Sequence, residues 1–269
     1  MRAILRRAGV GRFLLNHIIT PSQQIANRRF PDRDTEVQIN GHRLLVFSPR
    51  TNLIGRALYQ NGVWEPAVTD AIEKKTRPGM VAIDVGADIG YYALQMSRLA
   101  GRQGRVIAFE PIPAARHHLE HNIELNGLTN IEVCGYALGN EAGTVYLEDP
   151  LKKSRINLNK SSAGERDIEV SIKRFDDLVG EMNLPSVDIV KMDIEGAEHL
   201  ALLGMEQSIR RFRPILIVEV HNHFLPLFGS SSQQLLSWLK TLGYEITQVD
   251  SSETVDNVTL TVCCEFSRP

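Results

Sequence analysis

The chain has 269 residues, 43% of them hydrophobic and 23% charged, which is ordinary globular usage and excludes a disordered chain. Its net charge of −2 hides a division: residues 1–33 carry seven arginines against Asp32, giving +6, and the other 23 basic and 31 acidic groups give −8. The acidic body argues against an extended nucleic-acid surface, and three cysteines (Cys134, Cys263, Cys264) are too few for a disulfide scaffold and lack zinc-finger spacing.

In chain order, residues 1–35 form a basic arm. Its apolar part is interrupted by Asn16 and His17 and followed by Pro21, so it is too short and too polar to span a membrane. Arg12 breaks what a signal peptide needs as an unbroken apolar run. An amphipathic helix, with Phe13, Leu14 and Ile18 opposed to arginines, would lie on an anionic membrane surface or pack on the protein's own body. The three cysteines read as reduced thiols of a cytoplasmic protein, and the membrane alternative for the arm would make it a peripheral contact at the cytoplasmic membrane face.

Residues 36–77 read as a hairpin and helix lead-in. Val37 and Ile39, then Leu44 and Val46, alternate around Asn40-Gly41, a two-residue hairpin signal. A helix is predicted over 64–75, before the breaker Arg77-Pro78-Gly79. From residue 78 to 266 strands and helices alternate. Strands are predicted over 81–85, 105–109, 131–136, 188–192 and 215–220. Helices are predicted over 91–99, 114–125, from about 197, and over 235–242. Two late strands, 245–249 and 259–266, have no helix between them and predict a hairpin. This order predicts a mostly parallel α/β sheet with helices on both faces and one antiparallel strand, the last. The polar stretch 148–167 reads as a loop and a candidate lid.

Ligands of open α/β sheets bind beyond the carboxyl ends of the strands. The first strand there ends in Asp84-Val85-Gly86-Ala87-Asp88-Ile89-Gly90, and Glu110 follows Gly90 by 20 residues. That is the distance at which nucleotide-binding sheets place an acid against ribose hydroxyls. The glycines are spaced G-x-x-x-G rather than G-x-G-x-x-G, which leaves little support for a pyrophosphate and disfavours a nicotinamide dehydrogenase. The fourth strand runs into Lys191-Met192-Asp193-Ile194-Glu195-Gly196-Ala197-Glu198, and the fifth ends in Glu219-Val220-His221. In extended chain Asp193 with Glu195, and Glu219 with His221, project to one side. Such a group could supply a general base or divalent-cation ligands.

The segments AIDVGADIGYY, AFEP, KMDIEGAE and IVEVH, in this order and spacing, resemble the FkbM-type S-adenosylmethionine-dependent methyltransferases from about Val37 to about residue 265. The resemblance implies a Rossmann-like seven-stranded sheet with its last strand antiparallel. It implies methylation of a hydroxyl, often on a sugar of a glycolipid, polysaccharide or natural product. It places Asp84, Gly86 and Gly90 at the methionine side of the cofactor, Glu110 at the ribose and Asp193 near the transferred methyl. This chain has Asp88 where the family usually has Asn, so Asp88 is expected to pair with the cofactor's ammonium or to cap the following helix.

Proton removal from the acceptor is expected from Asp193, Glu195 or His221, with His221 the best base on intrinsic pKa. A rival, less favoured reading has Asp193, Glu219 and His221 holding Mg²⁺ or Mn²⁺. The expected partner is a small-molecule or lipid-linked glycan acceptor. A nitrogen or protein acceptor, and a non-catalytic membrane-associated protein that keeps the fold, are the alternatives. The blander readings are Glu198 as an acid favouring a helix dipole, Asp176 as the N-cap of its own helix, and His117 and His121 as a solvated helix face. Lys191 reads either as solvated or as touching substrate.

Overall fold

A computed structural model describes residues 29–148, 167–249 and 259–267. The membrane reading of the arm rests on residues 1–28, and the lid reading on 149–166; both lie outside the described residues. No helix among the described residues is long and apolar enough to cross a membrane.

The chain begins with β1 (Thr35–Ile39) and β2 (His42–Val46), antiparallel with Ile39 opposite His42. Asn40 and Gly41 both have positive φ, 48° and 84°, the pair of left-handed residues that a tight hairpin turn demands. Two helices follow, α1 (Leu53–Asn61) and α2 (Pro66–Lys75). α1 is not among the helices expected from the sequence, although Asn52 caps it by accepting from the Gly55 N–H at 2.7 Å.

The body continues as β3 (Val81–Val85), α3 (Tyr91–Ala100), β4 (Arg105–Phe109), α4 (Pro113–Leu125) and β5 (Ile131–Cys134). After β6 (Ala137–Leu138), β7 (Gly143–Glu148), β8 (Asp167–Lys173) and α5 (Phe175–Glu181) come β9 (Ile189–Met192), α6 (Glu198–Leu203) and α7 (Glu206–Phe212). The chain ends with β10 (Ile215–His221), α8 (Ser232–Thr241), β11 (Tyr244–Gln248) and β12 (Thr259–Phe266). A seven-stranded sheet has the order β11-β12-β10-β9-β3-β4-β5. Only β12 runs antiparallel to its neighbours, as expected from the helix-free connection before it.

Alternation along the strands feeds two cores, one on each face. Val81, Ile83, Val85, Val190, Met192, Leu216 and Val218 pack on one side. Ala82, Ile189 and Ile217 pack on the other, against Tyr91, Leu94, Val68 and Ile72 of α3 and α2. Cys264 belongs to the first core and Cys263 to the second; both are buried free thiols, as is Cys134.

Two expectations are corrected here. The stretch 131–136 is not one strand: β5 stops at Cys134, and the chain enters a three-stranded sheet of order β6-β8-β7. Asp176 does not cap α5, whose N-cap is Arg174. It caps α7 across space, accepting from the N–H groups of Gln207 (3.0 Å) and Ser208 (2.8 Å) and from the Ser208 hydroxyl.

Candidate active site

The period of a strand explains why titratable groups converge. The face of the sheet that carries Ala82, Ile189 and Ile217 in its core carries Asp84, Lys191, Glu219 and His221 nearer the carboxyl ends, each two or four residues further on. Register brings them abreast: Lys191 lies opposite Asp84 on β3 and opposite Ile217 on β10. Phe109 packs in the opposite core, so Glu110 turns to the same face as Asp84.

The turn after β3 is tied to the next strand, because Gly86 and Ala87 donate to the Phe109 carbonyl at 3.0 Å. Gly86 has φ 81°, and a Cβ there would lie 1.9 Å from the Asp193 carbonyl oxygen. Only glycine satisfies both conditions. Asp88 also has positive φ, 47°, a region that Asp and Asn tolerate better than most residues. The residue at the N-cap position of α3 is Gly90. The Asp88 N–H donates to Glu110 Oε2 at 2.9 Å, while Glu110 Oε1 accepts from Ile112 at 2.8 Å. Burial, with the charge of Asp88 beside it, pushes Glu110 up to about 8.

Asp84 is fully buried, and neither carboxylate oxygen has a hydrogen-bond partner among the described residues. Burial pushes it up to about 7, against the pull of the Lys191 ammonium. Buried acceptors in this state call for donors from outside the protein, supplied by a ligand or by ordered water. Lys191 is only 3% exposed, so its solvated reading is overturned. Its ammonium donates to Asp193 Oδ2 at 3.4 Å and lies 4.7 Å from the centre of the Tyr92 ring. Burial acts to neutralise it, but Asp193, Asp84, Glu65 and Glu219 outweigh that and keep it charged.

His221 stands among carboxylates. Nδ1 lies 2.8 Å from Glu198 Oε1, and Nε2 lies 3.6 Å from Glu219 Oε1 and 3.8 Å from Asp193 Oδ1. Burial acts to lower its pKa, yet the Glu198 bond and the Asp193 charge carry it to about 9. Burial and Asp193 push Glu219 upward, and burial and Asp193 bring Glu195 to about 8. Asp193 and Glu195 do not continue as an extended pair, because Glu195 turns left-handed at φ 48°.

Sequence reasoning missed the parts played by two residues, Glu198 and Glu65. Glu198 is buried completely and orients His221; a position five residues past Asp193 carries no pattern that signals this. Glu65 accepts from the Tyr92 hydroxyl at 2.7 Å, so the lead-in supplies a carboxylate to the body. Glu65 itself is held at φ 42°. His117 and His121 belong to no metal-capable group among the described residues.

The sheet order, with β12 alone reversed, is the Rossmann-like arrangement expected from the sequence. The family model of the methyltransferase FkbM domain matches residues 84–246, and the chain belongs to that family. It is 30% identical over 146 residues to Methyltransferase 1 of Beauveria bassiana, covering 47% of this chain and 58% of that one. It is 30% identical over 172 residues to the hexuronic acid methyltransferase AglP of Haloferax volcanii, covering 63% and 66%. It is 28% identical over 178 residues to the 31-O-demethyl-FK506 methyltransferase FkbM of Streptomyces tacrolimicus, covering 54% and 67%. The matches cover 58%, 66% and 67% of these relatives' lengths, so part of each lies outside the match.

Proposed function

We propose that this protein is an S-adenosylmethionine-dependent O-methyltransferase acting on a hydroxyl of a sugar or sugar-bearing molecule. The observation that carries the reading is Asp84, whose two buried oxygens have no partner among the described residues beside the Gly86 turn. The residues fit the cofactor. Its ammonium would supply donors to Asp84 and its ribose hydroxyls would supply them to Glu110, as hydrogen bonds to charged acceptors. A cationic cofactor also suits an end of the sheet crowded with carboxylates. When bound, it supplies a methyl group on a positively charged sulfur, which leaves as a neutral thioether.

The chain's own part is alignment and removal of the acceptor's proton. We assign that proton to Glu195, whose left-handed conformation is strain of the kind stored in functional loops. His221 is not given this role, because Nδ1 is committed to Glu198 and Nε2 faces two carboxylates. Asp193 and Glu219 are acceptors able to select hydroxyl groups. The names of two relatives, one a hexuronic acid methyltransferase and one a methyltransferase of 31-O-demethyl-FK506, favour an oxygen acceptor. A lipid-linked glycan, met at the cytoplasmic membrane face through residues 1–33, belongs to the same reading.

Calorimetric titration of the full chain with S-adenosylmethionine and with NAD tests the cofactor. Binding of the first and not the second is expected, and no binding of the first overturns the reading. Mass spectrometry of glycolipids and polysaccharides from cells with and without the protein then identifies the acceptor by loss of one methyl.

A further inference from the structure

We propose that Asp193, Glu219 and His221 form a divalent-cation site of Mn²⁺ type where β9 and β10 end. One ring nitrogen of His221 and one oxygen from each carboxylate all lie within 4.8 Å of one another. The His221 Nε2 separations of 3.6 Å and 3.8 Å are too long for hydrogen bonds. Donors around one octahedral ion with bonds of ~2.1 Å stand ~3.0 Å apart when adjacent and ~4.2 Å apart when opposite. Small side-chain rotations therefore bring all three onto one ion.

The orientation of His221 is an independent observation. Its side chain is 8% exposed, and Nε2 is aimed at the two carboxylates without a hydrogen bond to either. Behind it, Glu198 Oε1 holds Nδ1 at 2.8 Å and accepts the Gly196 N–H at 2.7 Å. A carboxylate that fixes one nitrogen of a histidine and turns the other toward further ligands is the usual support of a metal-bound imidazole. Lys191 engages Oδ2 of Asp193, while Oδ1 is the oxygen nearer His221. The carboxylate thus divides between an ammonium and the site.

The donor set selects the ion. An imidazole counts against Mg²⁺ and Ca²⁺, two carboxylates without a thiolate count against soft ions, and the mixture suits Mn²⁺. The role of the site rests on the methyltransferase reading: an ion there would acidify a hydroxyl placed on it, easing loss of the proton to Glu195. The sequence favoured direct base catalysis over metal; the fixing of His221 by a buried acid favours the metal.

The test uses the full chain with Mn²⁺ alone, by calorimetry and by pulsed electron paramagnetic resonance. We expect one Mn²⁺ per chain with a nitrogen coupling from imidazole. Glu219→Gln, which keeps shape, should weaken binding at least 10-fold, and His221→Ala should abolish the nitrogen coupling. Glu198→Gln should weaken binding by about 10–100-fold through orientation. No Mn²⁺ binding, or binding unchanged by Glu219→Gln in a variant of wild-type melting temperature, overturns the site. Titration of metal-free protein with S-adenosylmethionine keeps the two proposals separate. Cofactor binding without Mn²⁺ binding sinks the site alone, and Mn²⁺ binding without cofactor binding sinks the function alone.

Discussion

Glu198 holds His221 through a contact of 2.8 Å between Oε1 and Nδ1, and the same oxygen accepts the Gly196 N–H at 2.7 Å. Both side chains are buried, so water cannot replace either bond. Removing the carboxylate leaves a buried imidazole and a buried amide without partners. Glu198→Ala should therefore destabilise the fold by about 3–5 kcal/mol. Glu198→Gln keeps an acceptor and should cost about 1–3 kcal/mol. Urea denaturation of the two variants checks the order. Equal losses would show that shape, not hydrogen bonding, matters there.

Gly86 combines φ 81° with a Cβ position 1.9 Å from the Asp193 carbonyl oxygen. Gly86→Ala must move the turn away from β9, and strain of this kind costs about 1–3 kcal/mol before the clash is counted. Both melting temperature and cofactor affinity should fall, the affinity by about 10-fold for each ~1.4 kcal/mol lost from binding. Gly41→Ala has similar φ, 84°, but nothing within 4 Å of the added Cβ. It should lower stability and leave cofactor affinity unchanged, which calorimetry on both variants would show.

Burial raises Asp84 from 3.8 to about 7 and Glu110 from 4.5 to about 8. Both folded-state values lie above the unfolded ones, so between them the folded chain binds more protons. Through that window these groups make stability fall as pH rises. Donors from a cofactor favour the ionised forms, so binding must expel protons. Affinity for S-adenosylmethionine should then increase up to a pH of about 8 and level off above it. Glu110→Gln should weaken binding and remove the upper part of this dependence. Calorimetry in buffers of different ionisation enthalpy reads the proton release directly; a pH-independent affinity would refute the assignment.

Asn122 is fully buried and joins three parts of the chain. Its Oδ1 accepts from the Leu45 N–H at 2.6 Å, and its Nδ2 donates to the carbonyls of Leu45 (3.1 Å) and Ile89 (2.8 Å). One side chain of α4 thus ties the hairpin to the turn that carries Asp88. Asn122→Ala should cost about 3 kcal/mol or more, from about 1–3 kcal/mol per stranded polar group, and should weaken cofactor binding. Asp176→Ala removes the cap of α7 and should cost about 1–2 kcal/mol while leaving cofactor affinity intact. Denaturation and cofactor titration together distinguish the two.

Much of the framework was legible because it depends on neighbours in the chain. The bounds of β3, β4 and β12 agree with the expected ones, since each is a compact apolar run between turn signals. Asn40-Gly41 announced its turn for the same reason. The small sheet was hidden because β6 has only two residues and pairs with β8 more than thirty positions later. Alternation also failed after Met192. It placed Asp193 and Glu195 on one side, but the chain leaves extended conformation there and Glu195 becomes left-handed.

The order of strands and helices, the glycine turn, the acid one strand along and the family are all legible in the residues alone. These follow from local conformational preference and strand period. Tertiary contacts alone show that Lys191 is buried rather than solvated, that Glu198, the acid in the first turn of α6, also holds His221, and that Asp176 caps α7. Each of these depends on burial and charge pairing, and the partners come from separate elements that meet only when the sheet and its helices close.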